Sequence, residues 1–380
     1  MGNPIYPAFT VLMSLFLAFV CEGQEQSLER VKSASVHKAV RDRIESLLPK
    51  SRMTLDSEFP LLSPRINTEL QHAKLIDSSW TGDDFKPGFV SRVAVSRPPE
   101  DLSKLAVTVG VGVPCGSDDA VYVYDYSHGS PRRVLESHGT REHDESLSEI
   151  HFSNPDASGN QLILTLRYAV QCASTWNLLS YDLFRLSSTA NMAVPILGGD
   201  HGIWFGYEDA FQVRLSSEEL LMEVRDRSID EGIHNRAHVL HFNLDSAPAV
   251  RIDPVAFQPQ DFVDEWLTRP WSEMESRSAD GAGEKMKKWH EFIGGDFVAG
   301  DFTIVQACRE KPGNWQVGVD LDWIKGQELP EPLSLYFLVE QLEQYRFKMV
   351  GIGFDRQEGC PGESRANTES PSLFAGGRRR

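Results

Sequence analysis

The chain has 380 residues, 41% hydrophobic and 24% charged, with 29 glycines and 21 prolines, an ordinary globular composition long enough for two domains and a sizeable core. Its formal net charge of −17 opposes non-specific binding to nucleic acid or to an anionic membrane. That acidity reads most simply as solubility.

Residues Ala8–Val20 form an uncharged apolar run, too short to span a membrane and placed where a secretory leader carries its hydrophobic region. Small residues around Cys21-Glu22-Gly23 predict cleavage that leaves Gln24 first, so residues 1–23 read as a signal peptide. Val20 is bulky where a lipoprotein would have a small residue, which favours simple export to the periplasm or the exterior. No second run reaches membrane length. Four cysteines then remain, Cys115, Cys172, Cys308 and Cys360, an even number that in an exported chain points to disulfides. There is no Cys-x-x-Cys pair and no Asn-x-Ser/Thr sequon.

Ser27–Leu48 has the apolar stripe of an amphipathic helix, stopped by Pro49. Lys50–Lys86 is rich in Ser, Pro and Asp and reads as irregular, with a short helix around Thr68–Leu75. Residues 24–84 are thus an N-terminal helix and an irregular segment. Strands are expected at Phe89–Val95 and Leu105–Val113, the latter with glycines that allow close backbone approach.

Three stretches then resemble one another: Val121–Leu135, Tyr181–Leu197 and Val239–Asp253. Each has an aromatic (Tyr124, Phe184, Phe242), a polar residue (Asp125, Arg185, Asn243) and a large apolar one (Tyr126, Leu186, Leu244), followed by a Ser/Asp turn and a second apolar run. Spacings of 60 residues from Asp125 to Arg185 and 58 from Arg185 to Asn243 predict one hairpin unit used repeatedly. Between them lie strands at Glu149–Phe152 and Leu162–Tyr168, parted by the turn Pro155–Asn160, then Gly202–Tyr207 and Phe211–Leu215. Glu218–Val224 reads as a strand or a helical turn. Residues 85–258 are therefore a β-rich, propeller-like domain of antiparallel hairpins. Three units fall short of the roughly four to eight blades of closed propellers. Either the N-terminal strands supply a diverged blade or the body is an open array.

The period changes at Pro259. Gln260–Ser276 and Glu284–Ile293 read as helices, followed by strands at Phe302–Cys308, Trp315–Leu321, Leu333–Leu342 and Tyr345–Phe354, so residues 259–360 form a C-terminal α+β unit. Residues 361–380 are a Ser/Gly-rich tail that reads as disordered. The fold class is mainly β, with an N-terminal helix and this α+β unit.

The segments VPCGSDDAVYVYD, QCASTWNLLSYDLFRL, FVDEWLTRPW, NWQVGVDLDW and YRFKMVGIGF, in that order, resemble a family of uncharacterised exported bacterial proteins. The resemblance spans most of residues 90–360. It implies export and a β-rich body and brings no activity with it.

Nucleophile-elbow, HExxH, P-loop, dinucleotide and EF-hand motifs are absent, and no cofactor is expected. Asp200 and His201, in Gly198-Gly199-Asp200-His201-Gly202, are candidates for acid–base work or ligand binding on a glycine-rich connection, with Trp204 as a stacking surface. The plainer reading is a tight turn. His234, His238 and His241 would share one face of a helix and could bind Zn²⁺ or Cu²⁺. On a strand, however, the odd spacing sends His238 and His241 to opposite faces. His138, Glu142, His143, Asp144 and Glu145 form a polar cluster best read as a solvated loop, while Asp118 and Asp119 are adjacent and point apart. Trp266, Trp271, Trp289, Trp315 and Trp323 could line a glycan or peptide groove, or simply fill the core. For the disulfides, Cys115–Cys172 precede consecutive repeated units, and Cys308–Cys360 lie within one C-terminal unit, so pairing within domains is expected.

The chain thus reads as an exported, disulfide-stapled binding or interaction module for a protein or glycan partner. Two other readings stay open: an extracytoplasmic hydrolase acting on glycans or peptides, and a structural cell-envelope protein.

Overall fold

The computed structural model describes residues 33–77, 88–113, 116–139, 145–170, 177–205, 211–226, 236–246, 248–279, 283–293, 302–324, 327–357 and 359–360. Among these, sixteen strands form four sheets of four, each an antiparallel meander in chain order. The first holds β1 (Val90–Ser96), β2 (Lys104–Val113), β3 (Gly116–Asp125) and β4 (Arg132–Ser137). The second holds β5 (Glu145–Phe152), β6 (Gln161–Val170), β7 (Asn177–Leu186) and β8 (Val194–Phe205). In the third are β9 (Phe211–Leu215), β10 (Glu219–Asp226), β11 (Arg236–Asn243) and β12 (Val250–Arg251). The fourth is β13 (Phe302–Ala307), β14 (Asn314–Ile324), β15 (Gln327–Glu343) and β16 (Arg346–Gly353). The four-stranded meander is the unit of propeller blades. The body is mainly β and propeller-like in that sense.

The three repeated stretches are the third and fourth strands of the first three sheets: β3–β4, β7–β8 and β11–β12. Their last apolar residues, Tyr126, Leu186 and Leu244, are all buried. The C-terminal strands add a fourth meander that the repeat pattern did not reveal. Its β15–β16 hairpin turns through Gln344-Tyr345, with Tyr345 in the left-handed region, instead of a longer Ser/Asp turn. Glu218–Val224 resolves as part of β10.

The chain divides into two compact units, one of Met1–Ser174 with Leu183–Pro195, the other of Thr175–Asp182 with Ile196–Arg380. In the first, helix α1 (residues 33–47) and helix α2 (Arg52–His72) pack on the first sheet. Lys50–Lys86 was expected to be irregular, and α2 corrects this: the helix runs through Pro60 and Pro64. Ser51 caps it by accepting from the Thr54 amide, and Leu55, Leu62, Ile66 and Leu70 give it a buried stripe. Tertiary burial of that stripe offsets the helix-breaking tendency of two prolines. Strand β2 is buried along its whole length because alternate residues serve two cores. Leu105, Val107 and Val109 pack with α1 and α2, whereas Ala106 packs with Val121, Val123 and Ile163 towards the second sheet.

In the second unit, α3 (Pro259–Thr268), α4 (Trp271–Met274) and α5 (Gly283–Ile293) precede the fourth sheet. Phe262, Val263, Trp266, Met286 and Ile293 meet Val317, Val319, Phe337 and Met349 in one core. Cys308 and Cys360 are disulfide-bonded. Cys115 and Cys172 lie outside the described residues. No described helix is long and apolar enough to cross a membrane.

Candidate functional site

The described sequence candidates lie on separate strands, β8 and β11. Asp200 and His201 fall inside β8, so the glycine-rich stretch is extended strand, which corrects the reading of it as a turn or loop between strands. A Cβ at Gly198 would lie 2.6 Å from Asp182 Oδ1 and 3.3 Å from the Tyr181 carbonyl oxygen, so this glycine answers a close approach of β7. His234 lies outside the described residues. His238 and His241 sit on β11 and engage different partners. His238 Nδ1 is 3.4 Å from Glu265 Oε1 and 3.8 Å from Asp264 Oδ2. His241 faces the Asp253 carbonyl through Nδ1 at 2.6 Å and the Glu219 carboxylate through Nε2. They share no ligand set, and among the described residues no three His, Cys, Asp or Glu side chains are grouped to hold a metal ion. Of the polar cluster, Glu142, His143 and Asp144 are outside the described residues, and Glu145 is a buried residue of β5.

The most heavily built charged site was not legible in the sequence. Helix α3 is buried from Pro259 to Leu267, with its apolar side in the core and Asp261, Asp264 and Glu265 along the other. A helix buried all round must find a partner for each polar group. Glu265 finds three. Its Oε2 accepts from Arg251 Nη2 at 2.6 Å and Arg269 Nε at 3.2 Å, and its Oε1 meets His238. Arg251 also donates to the Val239 carbonyl oxygen at 2.9 Å and approaches Glu273 at 3.4 Å. Burial pushes the Glu265 carboxyl up, but Arg251, Arg269 and His238 outweigh it and hold it well below the usual carboxylate range. Burial likewise pushes the nearby Tyr181 phenol up. Glu265 is therefore a fixed anion with both oxygens committed. It ties β11, β12 and α3 together and has no proton to give.

In the first unit, Asp118 and Asp119 point to opposite sides of β3. Asp119, fully buried, accepts from Arg92 Nη2 at 2.5 Å and from the Leu147 amide at 2.7 Å. Asp118 faces α1, where the Ser33 hydroxyl donates to it and His37 Nε2 stands 3.3 Å away. The ring of His138 lies 5.3 Å from that of His37, and its Nε2 is 3.1 Å from Glu136 Oε1. Arg41 Nη1 reaches the same Glu136 oxygen at 3.0 Å.

A third feature is aromatic. Trp266 is core, donating through Nε1 to Ser278 at 3.0 Å. Trp289 of α5 is half-buried, and two exposed rings flank it: Phe292 (45% exposed) with centroids 5.9 Å apart, and Phe354 (54%) at 5.3 Å. The exposed side of α5 also carries Lys285 and the pairs Lys288–Glu284 and Lys287–Glu291, at 3.5 and 3.9 Å. The result is an apolar ridge bordered by charges of both signs.

No protein-family model and no curated protein matches the chain. Solved structures give distant likenesses. An α-L-arabinanase of Penicillium chrysogenum complexed with arabinobiose is 11% identical, with 70% of this chain and 68% of that one covered at a TM-score of 0.25. The GH93 α-L-arabinofuranosidase of Fusarium graminearum is 10% identical with the same coverage and TM-score. A GH43 β-1,3-galactosidase is 11% identical, covering 72% and 79%, at a TM-score of 0.22. Likeness at these scores carries no argument about activity.

Proposed function

We propose that this protein is an exported binding module, of the exported bacterial family it resembles, that takes a neutral glycan on the ridge of Trp289, Phe292 and Phe354. The carrying observation is the pair of exposed rings held on either side of an indole anchored in the core. Flat apolar faces beside hydroxyl-matching donors and acceptors suit sugar rings, which present C–H faces and polar edges. Lys287 and Lys288 of α5 are paired with Glu291 and Glu284, and the net charge of −17 opposes an anionic polymer, so a neutral ligand fits better. The hydrolase reading requires a carboxyl kept protonated. Asp101, Asp118, Asp125, Glu136, Asp156 and Glu265 are all displaced the other way, downwards.

The test is retention of the secreted protein by insoluble and soluble neutral polysaccharides, with reducing ends assayed in parallel. Phe292→Ala with Phe354→Ala should weaken binding about tenfold or more, some 1.4 kcal/mol per factor of ten, without loss of stability. Release of sugar by the wild-type protein would instead favour the hydrolase, and no retention on any glycan would end the glycan reading.

A further inference from the structure

The fourth sheet turns one side to the helices, where Val317, Val319, Phe337 and Met349 join the core and Trp289 packs against it. Alternation sends the residues between them to the other side. The register orders three rungs there: Asp320 with Ser334, then Gly318, Tyr336 and Gly353, then Gln316, Leu338 and Gly351. The middle rung sets one aromatic ring between two residues without side chains. A Cβ built at Gly353 would meet no atom within 4 Å, so the place beside the ring is open. Nor does the backbone require glycine there, since Gly353 lies outside the left-handed region.

Groups able to hydrogen-bond a ligand border this notch. The segment after β16 folds over the same side, where Cys360 and Cys308 bury Leu338 and the Arg309 amide donates to the Gly359 carbonyl oxygen at 3.0 Å. That segment carries Arg356, whose Cζ stands 5.7 Å from the Tyr336 ring centroid and which makes no ion pair among the described residues. Asp320, about 7 Å along the face, accepts from the Ser334 hydroxyl through Oδ1 at 2.5 Å and has no other hydrogen bond among the described residues. On the other flanking rung Gln316 is 1% exposed, and its buried Oε1 has no hydrogen-bond partner among the described residues. A ligand hydroxyl or a bound water would supply the missing donor.

We propose that Tyr336, with Gly353 as floor and Arg356 and Asp320 as rim, is a second saccharide site, on the side of the fourth sheet away from the Trp289 ridge. A sugar ring offers C–H faces to an aromatic and a rim of hydroxyls that both donate and accept. The notch answers each need: one ring face, one donor in Arg356, and acceptors in Asp320 and Gln316. An acid in the same place would meet Asp320 as well as Arg356, so an uncharged ring fits better. The proposal rests on the glycan reading above for the class of ligand, and not on the ridge.

The test is hydroxyl-radical footprinting of the whole protein, normalised for radical dose, while neutral tetrasaccharides of glucose, xylose, mannose and galactose are titrated in. Saturation with one of them should protect the Tyr336 ring from oxidation, read separately from Phe292 on the ridge. Gly353→Val fills the notch where the protein itself has no atom. It should weaken protection of Tyr336 about tenfold, some 1.4 kcal/mol, while leaving the thermal midpoint and the Phe292 response unchanged. Arg356→Ala should weaken it in the same direction. Protection of Phe292 without Tyr336 overturns the second site and leaves the ridge standing, whereas protection of Tyr336 alone does the reverse. Protection of neither ring by any of the sugars overturns the second site together with the glycan reading. Tyr336 protected with equal affinity in Gly353→Val also overturns the proposal.

Discussion

Arg251 Nη2 donates to Glu265 Oε2 at 2.6 Å with both side chains withdrawn from solvent, although one belongs to an edge strand and the other to a helix. A buried pair of this kind contributes little over an apolar substitute, but removing one partner strands the other charge. Arg251→Met should therefore destabilise the second unit by about 3 kcal/mol or more. Urea unfolding measures it, and a loss under about 1 kcal/mol would mean that Arg269 and His238 suffice for Glu265.

A second buried network sits where β2 begins and β3 ends. Lys104 Nζ lies 3.0 Å from both Asp125 Oδ1 and Asp101 Oδ2. Burial pushes Asp125 up, but the Ser127 amide and Lys104 outweigh it and bring it below 3.8. Its stabilising effect is present above the ordinary value and is lost as pH falls through the lower folded one. Asp125→Asn should cost about 3 kcal/mol at pH 7 and flatten the dependence of stability on pH below about 4. Thermal unfolding between pH 3 and 7 separates the two effects.

Gly110→Ala probes a close approach. A Cβ there would lie 2.5 Å from Asp119 Oδ1, and Asp119 cannot retreat without disturbing its contacts with Arg92 and the Leu147 amide. The expected loss is about 1–3 kcal/mol, the usual range for overpacking. Unaltered denaturant midpoints would show that Asp119 has room to move.

Removing the disulfide by Cys308→Ala with Cys360→Ala opens a loop of 52 residues. In the chain-entropy account this costs about 4 kcal/mol. Chemical denaturation of the double variant beside the oxidised protein measures it. Equal stabilities would show that the buried contacts around Leu338 hold this end of the chain by themselves.

The local pattern of the chain carried much of the fold. Alternation around Tyr124, Phe184 and Phe242 marked the closing hairpins of three meanders, because a strand with distinct faces writes its period of two directly into the sequence. The odd spacing of His238 and His241 had the same cause and the same result: one meets α3 and the other Glu219. The break at Pro259 marked the first turn of α3, where proline's missing N–H costs nothing.

Partners distant in the chain decided the rest. Helix α2 forms through Pro60 and Pro64 because its stripe of Leu55, Leu62, Ile66 and Leu70 is buried against the first sheet, and no local propensity records that burial. Glu265 reads as one more acidic residue on a helix until Arg251 and His238, on separate strands, enclose it. His37 and Asp118 are 81 residues apart, and their pairing exists only once α1 lies on β3. In the repeated hairpins, sequence by itself determined which residues face a core, since that follows from periodicity. Which charge meets which was left to the tertiary structure, because a side chain's hydrogen-bonding capacity names no partner until folding supplies the neighbour.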